Sequence, residues 1–267
     1  MRELGPLVAY RAVADDRGVG ASCTVGNVSG VIVRVAVLPH PPLLVPELAV
    51  GADEATTVLR ARCVEVAERL AGAAPHWVAV SADTSTRDIA ATAAGTFAGY
   101  GVDVPVRLGG TDPGPVDPRL PLPALVAGWL RERAGAASVR VRLLDADLPP
   151  ADCAVEGSRL AAELSGEDPV GLLVLGDGSH RHGRRAVGRP HERAAAFDDA
   201  VRAAFTATDP DALLAVDPDL AVELGAAGRA PWQLLAGVLA AGGWRCVSSE
   251  LLVPFGVAYH LAEWEPA

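Results

Sequence analysis

The sequence contains no lysine: all 23 of its basic residues are arginine. Without lysine there is no Schiff base to a carbonyl substrate and no lysine for a phosphate-binding loop, which excludes pyridoxal-phosphate enzymes and P-loop nucleotide hydrolases. A GC-rich genome that replaced lysine throughout explains this better than selection for arginine chemistry. Aromatic residues are also scarce, at 4%. The apolar content is mostly Ala, Val and Leu, which suits helices packed on a buried parallel sheet. Cysteine is limited to Cys23, Cys63, Cys153 and Cys246, with no Cys-x-x-Cys pair. That spacing argues against a structural zinc site and for reduced, mostly buried thiols in a cytoplasmic protein. No apolar run reaches the roughly 18 residues that a membrane span requires. The first twenty residues lack a basic region followed by a long apolar core, so they do not read as a secretory signal. Gly109-Gly110 lies among prolines and opens no helix, so no dinucleotide fingerprint is present. No Gly-x-Ser-x-Gly elbow exists either. The net charge of −10 argues against binding nucleic acid by phosphate neutralisation.

What is present is a chain of 267 residues, half of them hydrophobic, enough to bury a sizeable core. Residues 1–30 show no clear period and are expected to form a flexible extension before a single domain over 31–267. Residues 31–38 (VIVRVAVL) read as a strand ended by Pro39. A helix is expected over 52–71, with Leu59, Cys63, Val66, Ala67 and Leu70 as its apolar stripe. Further strands are expected at 77–80, 104–108, 139–144, 170–175, 246–247 and 251–264. The alternation of Val and Leu with Arg140 and Arg142 marks 139–144 as an edge strand with one wet face. Helices are expected at 125–133, 152–164, 191–205, 209–214, 218–224 and 231–241. This alternation implies an α/β fold, with one central, mostly parallel sheet flanked by helices on both faces. Ligands of such sheets bind beyond the carboxyl ends of the strands.

His40, Asp83 and His180 each follow an expected strand closely, so they are expected to converge on that edge. His40 sits in Leu38-Pro39-His40-Pro41-Pro42. The flanking prolines restrict the backbone and pre-organise the imidazole, as a metal ligand requires. The alternative is a histidine on a surface loop. Gly176-Asp177-Gly178-Ser179-His180-Arg181-His182 follows the apolar strand at 170–175. Its glycines permit a sharp turn, His180 could act as acid or base near neutral pH, and Asp177 could orient it or bind a metal. The alternative is a tight turn capped by Asp177 and Ser179, with solvated histidines. His182 could join His180 in a two-histidine clip, although alternate residues of an extended chain point apart. His76 reads as structural, His191 as solvated, and His260 as a packed, hydrogen-bonded histidine. The arginines at 181, 184, 185, 189 and 193 form a basic cluster able to bind a carboxylate, or a solvated loop.

Two of these motifs carry a resemblance. Pro39-His40-Pro41-Pro42-Leu43-Leu44-Val45-Pro46-Glu47 resembles the opening motif of the class III extradiol ring-cleaving dioxygenases, the LigB-type superfamily that includes the MEMO-like proteins. Gly176-Asp177-Gly178-Ser179-His180-Arg181 is similar to their Gly-Asp-Leu-Ser-His motif. Phe255-Gly256-Val257-Ala258-Tyr259 and Glu263-Trp264 are similar to their final strand. The resemblance spans roughly residues 31–264. It implies Fe(II)-dependent opening of a catechol-type aromatic ring, with His40 as first iron ligand and His180 as acid/base. Asp177 would assist His180, and Ser179, Arg181 and His182 would lie against substrate. The second ligand histidine is expected where this chain has Ser81-Ala82-Asp83, so Asp83 stands in as the candidate ligand. The ligand glutamate is expected shortly before Trp232, where the nearest carboxylate is Glu223. Three functions therefore stand side by side: an iron dioxygenase acting on a small aromatic molecule, a non-catalytic relative that binds or regulates, and a metal- or histidine-assisted hydrolase using His180, Asp177 and Asp83. The resemblance also makes a homodimer possible.

Overall fold

The computed structural model describes residues 32–49, 51, 53–110, 114–166 and 168–267; the expected extension at 1–30, with Cys23, lies outside the described residues. The main elements are β1 (Ile32–Leu38), α1 (Glu54–Ala73), β2 (His76–Asp83), β3 (Arg87–Ile89), β4 (Ala94–Thr96), β5 (Pro105–Arg107), β6 (Val116–Asp117), α2 (Leu122–Ala134), β7 (Ser138–Asp145), α3 (Pro150–Leu164), β8 (Val170–Leu175), α4 (Ala194–Ala207), α5 (Pro210–Leu214), α6 (Pro218–Leu224), α7 (Arg229–Leu239), β9 (Trp244–Leu252) and β10 (Tyr259–Pro266).

Local chemistry sets the boundaries. Asp53 caps α1 by accepting the Thr56 N–H, which satisfies one of the free donors at a helix start. The α1 stripe Leu59, Cys63, Val66, Ala67 and Leu70 is buried as its spacing requires. Asp209 and Asp217 cap α5 and α6, each followed by proline in the first turn. Gly225 ends α6 in the left-handed conformation, which glycine adopts without a Cβ penalty.

The seven-stranded sheet has the order β3-β7-β2-β8-β1-β10-β9. Its centre, β7-β2-β8-β1, is parallel, while β3 and β10 pair antiparallel with their neighbours. The sheet is thus mixed, with most but not all strands running one way. Within β1, Val35 and Val37 belong to one apolar core and Ala36 and Leu38 to the other. The first core collects side chains from α3 to α7, the second from α1 and α2. A separate sheet of order β5-β4-β6 lies within the segment between β3 and α2. No described helix is long and apolar enough to cross a membrane.

Two expectations need correction. The strand at 139–144 is not an edge, because the three-residue β3 pairs on its outer side. Arg142, which suggested a wet face, is answered there by Asp88 and also by Glu163. The last expected strand is also shorter: a 3₁₀ turn at Pro254–Gly256, with Phe255 at φ 57°, breaks it and returns the chain as β10.

Helices α3 and α7 meet backbone to backbone. A β-carbon at Gly157 would overlap the Leu234 carbonyl, and one at Gly237 would overlap that of Ala154. Gly157→Ala should therefore destabilise the protein by about 1–3 kcal/mol through overpacking. Gly72→Ala, in α1 with open space around it, should be neutral or stabilising by up to about 1 kcal/mol. Urea unfolding of both variants checks this; equal stabilities would contradict the close approach.

Candidate functional site

The carboxyl ends of the parallel strands gather the polar loops. Gly176 N–H donates to the Leu38 carbonyl at 3.0 Å, extending the β1–β8 pairing past both strands. One residue on, the His40 N–H donates to Asp177 Oδ1 at 2.9 Å. The His40 ring is buried, its Nδ1 is 3.8 Å from the same carboxylate oxygen, and it has no hydrogen-bond partner. The proline-restricted loop after β1 and the Gly-Asp-Gly turn after β8 are thereby joined through one side chain. Tyr259, at the start of β10, lies near enough that Asp177 helps hold its phenol protonated, after the larger effect of burial.

The turn after β8 also grips the α6–α7 connection. The Ser179 hydroxyl and the His180 N–H both donate to the Leu224 carbonyl, at 3.1 and 3.2 Å. Gly228 N–H donates to the Asp177 carbonyl at 2.9 Å. The His180 imidazole lies over Gly225, where any β-carbon would overlap Nε2. Burial and, second, the neighbouring Arg181 guanidinium push the His180 pKa below its ordinary value. His180 is therefore a neutral imidazole near pH 7, able to accept a proton or a hydrogen bond.

Beneath this turn is a buried carboxylate that sequence reasoning missed. Asp198, on α4, is inaccessible to solvent. Its Oδ2 bonds His182 Nε2 at 2.7 Å, its Oδ1 bonds His260 Nε2 at 2.9 Å, and both oxygens lie 3.3 Å from the Ser179 amide. His260 is enclosed edge-on by Phe205 and Trp232, with ring centroids at 5.6 and 5.2 Å. It is packed and hydrogen-bonded, as its sequence context implied. The missed signal was an acid on the inner stripe of an amphipathic helix, between Phe197 and Val201. Such an acid must find donors or destabilise the fold.

The expected site residues are thus divided. His40, Asp177 and His180 share one end of the sheet. His182 and the Ser179 amide serve the buried network, and the Ser179 hydroxyl is consumed between the Leu224 carbonyl and the Arg181 amide. Arg181 remains partly exposed, its buried Nε without a partner. Asp83 ends β2 on the same edge but is ion-paired with Arg87. Glu223 turns outward to His191, 3.1 Å away. Among the described residues, no three His, Cys, Asp or Glu side chains are placed to hold a metal ion. The donor set therefore does not fit a site of two histidines and a carboxylate: His40 Nδ1 is free, but Asp83 and Glu223 each face another partner. A cavity of about 250 Å³ lies against Gly225, Ala227, Arg229, Ala146 and Asp147. A more open depression of about 560 Å³ lies elsewhere, between the start of α1 and the β9–β10 connection; its lining holds no histidine or arginine.

Three measurements follow from this geometry. The His180 imidazole should titrate below the ordinary value near 6.5, and Arg181→Gln should raise it part of the way, as read by NMR. Because the folded value is the lower one, protons bind the unfolded chain better. The contribution to stability is whole above about pH 6.5 and declines as pH falls through that value. A His180 titration at or above the ordinary value would contradict the packing. Asp198→Ala should cost about 2–4 kcal/mol, because His182, His260 and the Ser179 amide lose their acceptor; a change under about 0.5 kcal/mol in urea unfolding would contradict that role.

No family model matches the chain, and no curated protein matches it. Among solved structures, an uncharacterized protein from Escherichia coli K12 is similar at 17% identity, with a TM-score of 0.44, over 86% of this chain and 99% of that one.

Proposed function

We propose that this chain is a non-catalytic relative of the class III extradiol dioxygenases, a cytoplasmic protein with one domain over 31–267. Its cleft beyond β1 and β8 binds a small aromatic molecule without opening the ring. The resemblance of the His40 and Asp177–His180 motifs supplies the family. The observation that carries the rest is the separation of the candidate ligands. The Asp83 carboxylate is neutralised by Arg87, and the Glu223 carboxylate is spent on His191 at the surface. A stable iron site needs three ligands near 2 Å from the metal, and of His40, Asp83 and Glu223 only His40 keeps a side-chain donor atom without a partner. What remains is His40, Asp177 and a neutral His180 at one end of the sheet, a set suited to hydrogen-bonding a phenolic ligand.

Metal content and oxygen consumption test this. Purified protein incubated anaerobically with Fe(II) and desalted should retain far less than one iron per chain and consume no oxygen with catechol. Catechol binding should still be measurable and should weaken in His180→Ala. Stoichiometric iron that is lost in both His40→Ala and Asp83→Ala, together with catechol-dependent oxygen uptake, would overturn the proposal in favour of the active enzyme.

A further inference from the structure

Among the described residues, one buried cation has no acid to answer it. Arg229 opens α7 and is 4% exposed. Its guanidinium donates to the carbonyls of Ala146 and Leu148, to Gln233 Oε1 and, at 3.9 Å, to Cys153 Sγ; none is a carboxylate. Among the described residues no carboxylate pairs with it. Arg142, which is also largely enclosed, is by contrast bound by both Asp88 and Glu163. A guanidinium cannot lose its proton to relieve burial. A buried charge with only dipolar partners is costly, and a counter-charge relieves it.

Arg229 also lines the cavity of about 250 Å³ beside Gly225. Gly225 is the residue on which the His180 ring rests. Arg229 and Gly225 therefore line one small space at the α6–α7 connection, and the His180 ring packs against Gly225. Three of the five guanidinium N–H groups are used by the acceptors above, which leaves donors for a ligand. We propose that Arg229 is the anion anchor of this cavity, and that the ligand is a small molecule bearing a carboxylate. The inference rests on the cleft reading above and adds the charged group that the ligand carries.

Two features of the surroundings bear on it. Arg181, Arg184, Arg185, Arg189 and Arg193 surround the entry to α4, and no carboxylate is paired with them among the described residues. In a chain of net charge −10, this segment is a local positive patch that attracts anions. Asp147 opposes them, but it stands exposed at the cavity rim, where solvent screens it.

Calorimetry with benzoate and benzamide separates charge from shape, because the two have nearly the same outline and differ in charge. Native protein at low salt should bind benzoate about 10- to 100-fold more tightly than benzamide, the range of a charge-assisted pair. Arg229→Gln should abolish that preference, and Asp147→Asn should strengthen benzoate binding about two- to fivefold. Arg229 also pins the turn after β7, so a second variant separates binding from folding. Ala227→Leu, which narrows the cavity from an exposed position without touching that turn, should weaken benzoate binding and so keeps the proposal testable. Equal affinity for benzoate and benzamide in native protein would overturn the anchor while leaving the cleft reading intact. Preference for benzoate surviving in Arg229→Gln, or benzoate binding unchanged in both Asp147→Asn and Ala227→Leu, would also overturn it. Binding of neither compound would overturn the anchor; the cleft reading would fall with it only if catechol also failed to bind.

Discussion

The parallel pairing of β1 with β8 is the constraint on which the rest of the site depends. It runs in register from Val35–Leu172 to Leu38–Leu175 and continues one bond further, through the Gly176 amide to the Leu38 carbonyl. Two segments 137 residues apart are thereby delivered side by side at the carboxyl edge of the sheet. Asp177 can then accept the His40 amide, and the turn that follows can hold the α6–α7 connection from Leu224 to Gly228. A slip of one residue between these strands would turn every side chain of one strand to the wrong core. The two apolar layers that fix this register therefore also fix the site.

The second layer of support is polar. A buried carboxylate is tolerated only when donors surround it, and Asp198 gathers three: two imidazoles and the Ser179 amide. Its three tethers reach the β8–α4 turn at two points and β10 at one. The turn bearing His180 is thus held from below by charge-assisted bonds and from the side by the Leu224 carbonyl. That rigidity lets His180 rest on Gly225 with no side chain between them. The arrangement that would gather a metal is missing for an equally local reason. Arg87, four residues after Asp83, claims the β2 carboxylate, and the last turn of α6 points Glu223 toward His191.

Much of the fold was legible in the sequence. The stripe of α1, the apolar run of β8 and the Asp-Pro starts of α5 and α6 each express a single local rule, and each element formed where that rule places it. The short strands β3, β4 and β6 were not legible, because two or three residues carry no period. Their partners, not their own sequence, define them. The edge reading of β7 failed for the same reason, since Arg142 signals a wet face but its partner Asp88 arrives on the unrecognised β3. In the site, His40 and the Asp177–His180 turn could be read because proline and glycine fix the backbone locally. Asp198 and Arg229 could not. Their roles come from burial against residues distant in the chain, and neither sits in a motif. Ser179 and His182 stood in the motif, yet the His182 ring and the Ser179 amide turn inward to Asp198, and the Ser179 hydroxyl to the Leu224 carbonyl.

Amide hydrogen exchange at His40 tests most directly whether the two histidine-bearing loops form one site. The account predicts that this amide exchanges far more slowly than a free loop amide in native protein. In Asp177→Ala it should approach the unprotected rate, while the amides of β1 remain protected. A His40 amide that already exchanges at the unprotected rate in native protein would mean that Asp177 does not join the loops, and the site as described would not exist.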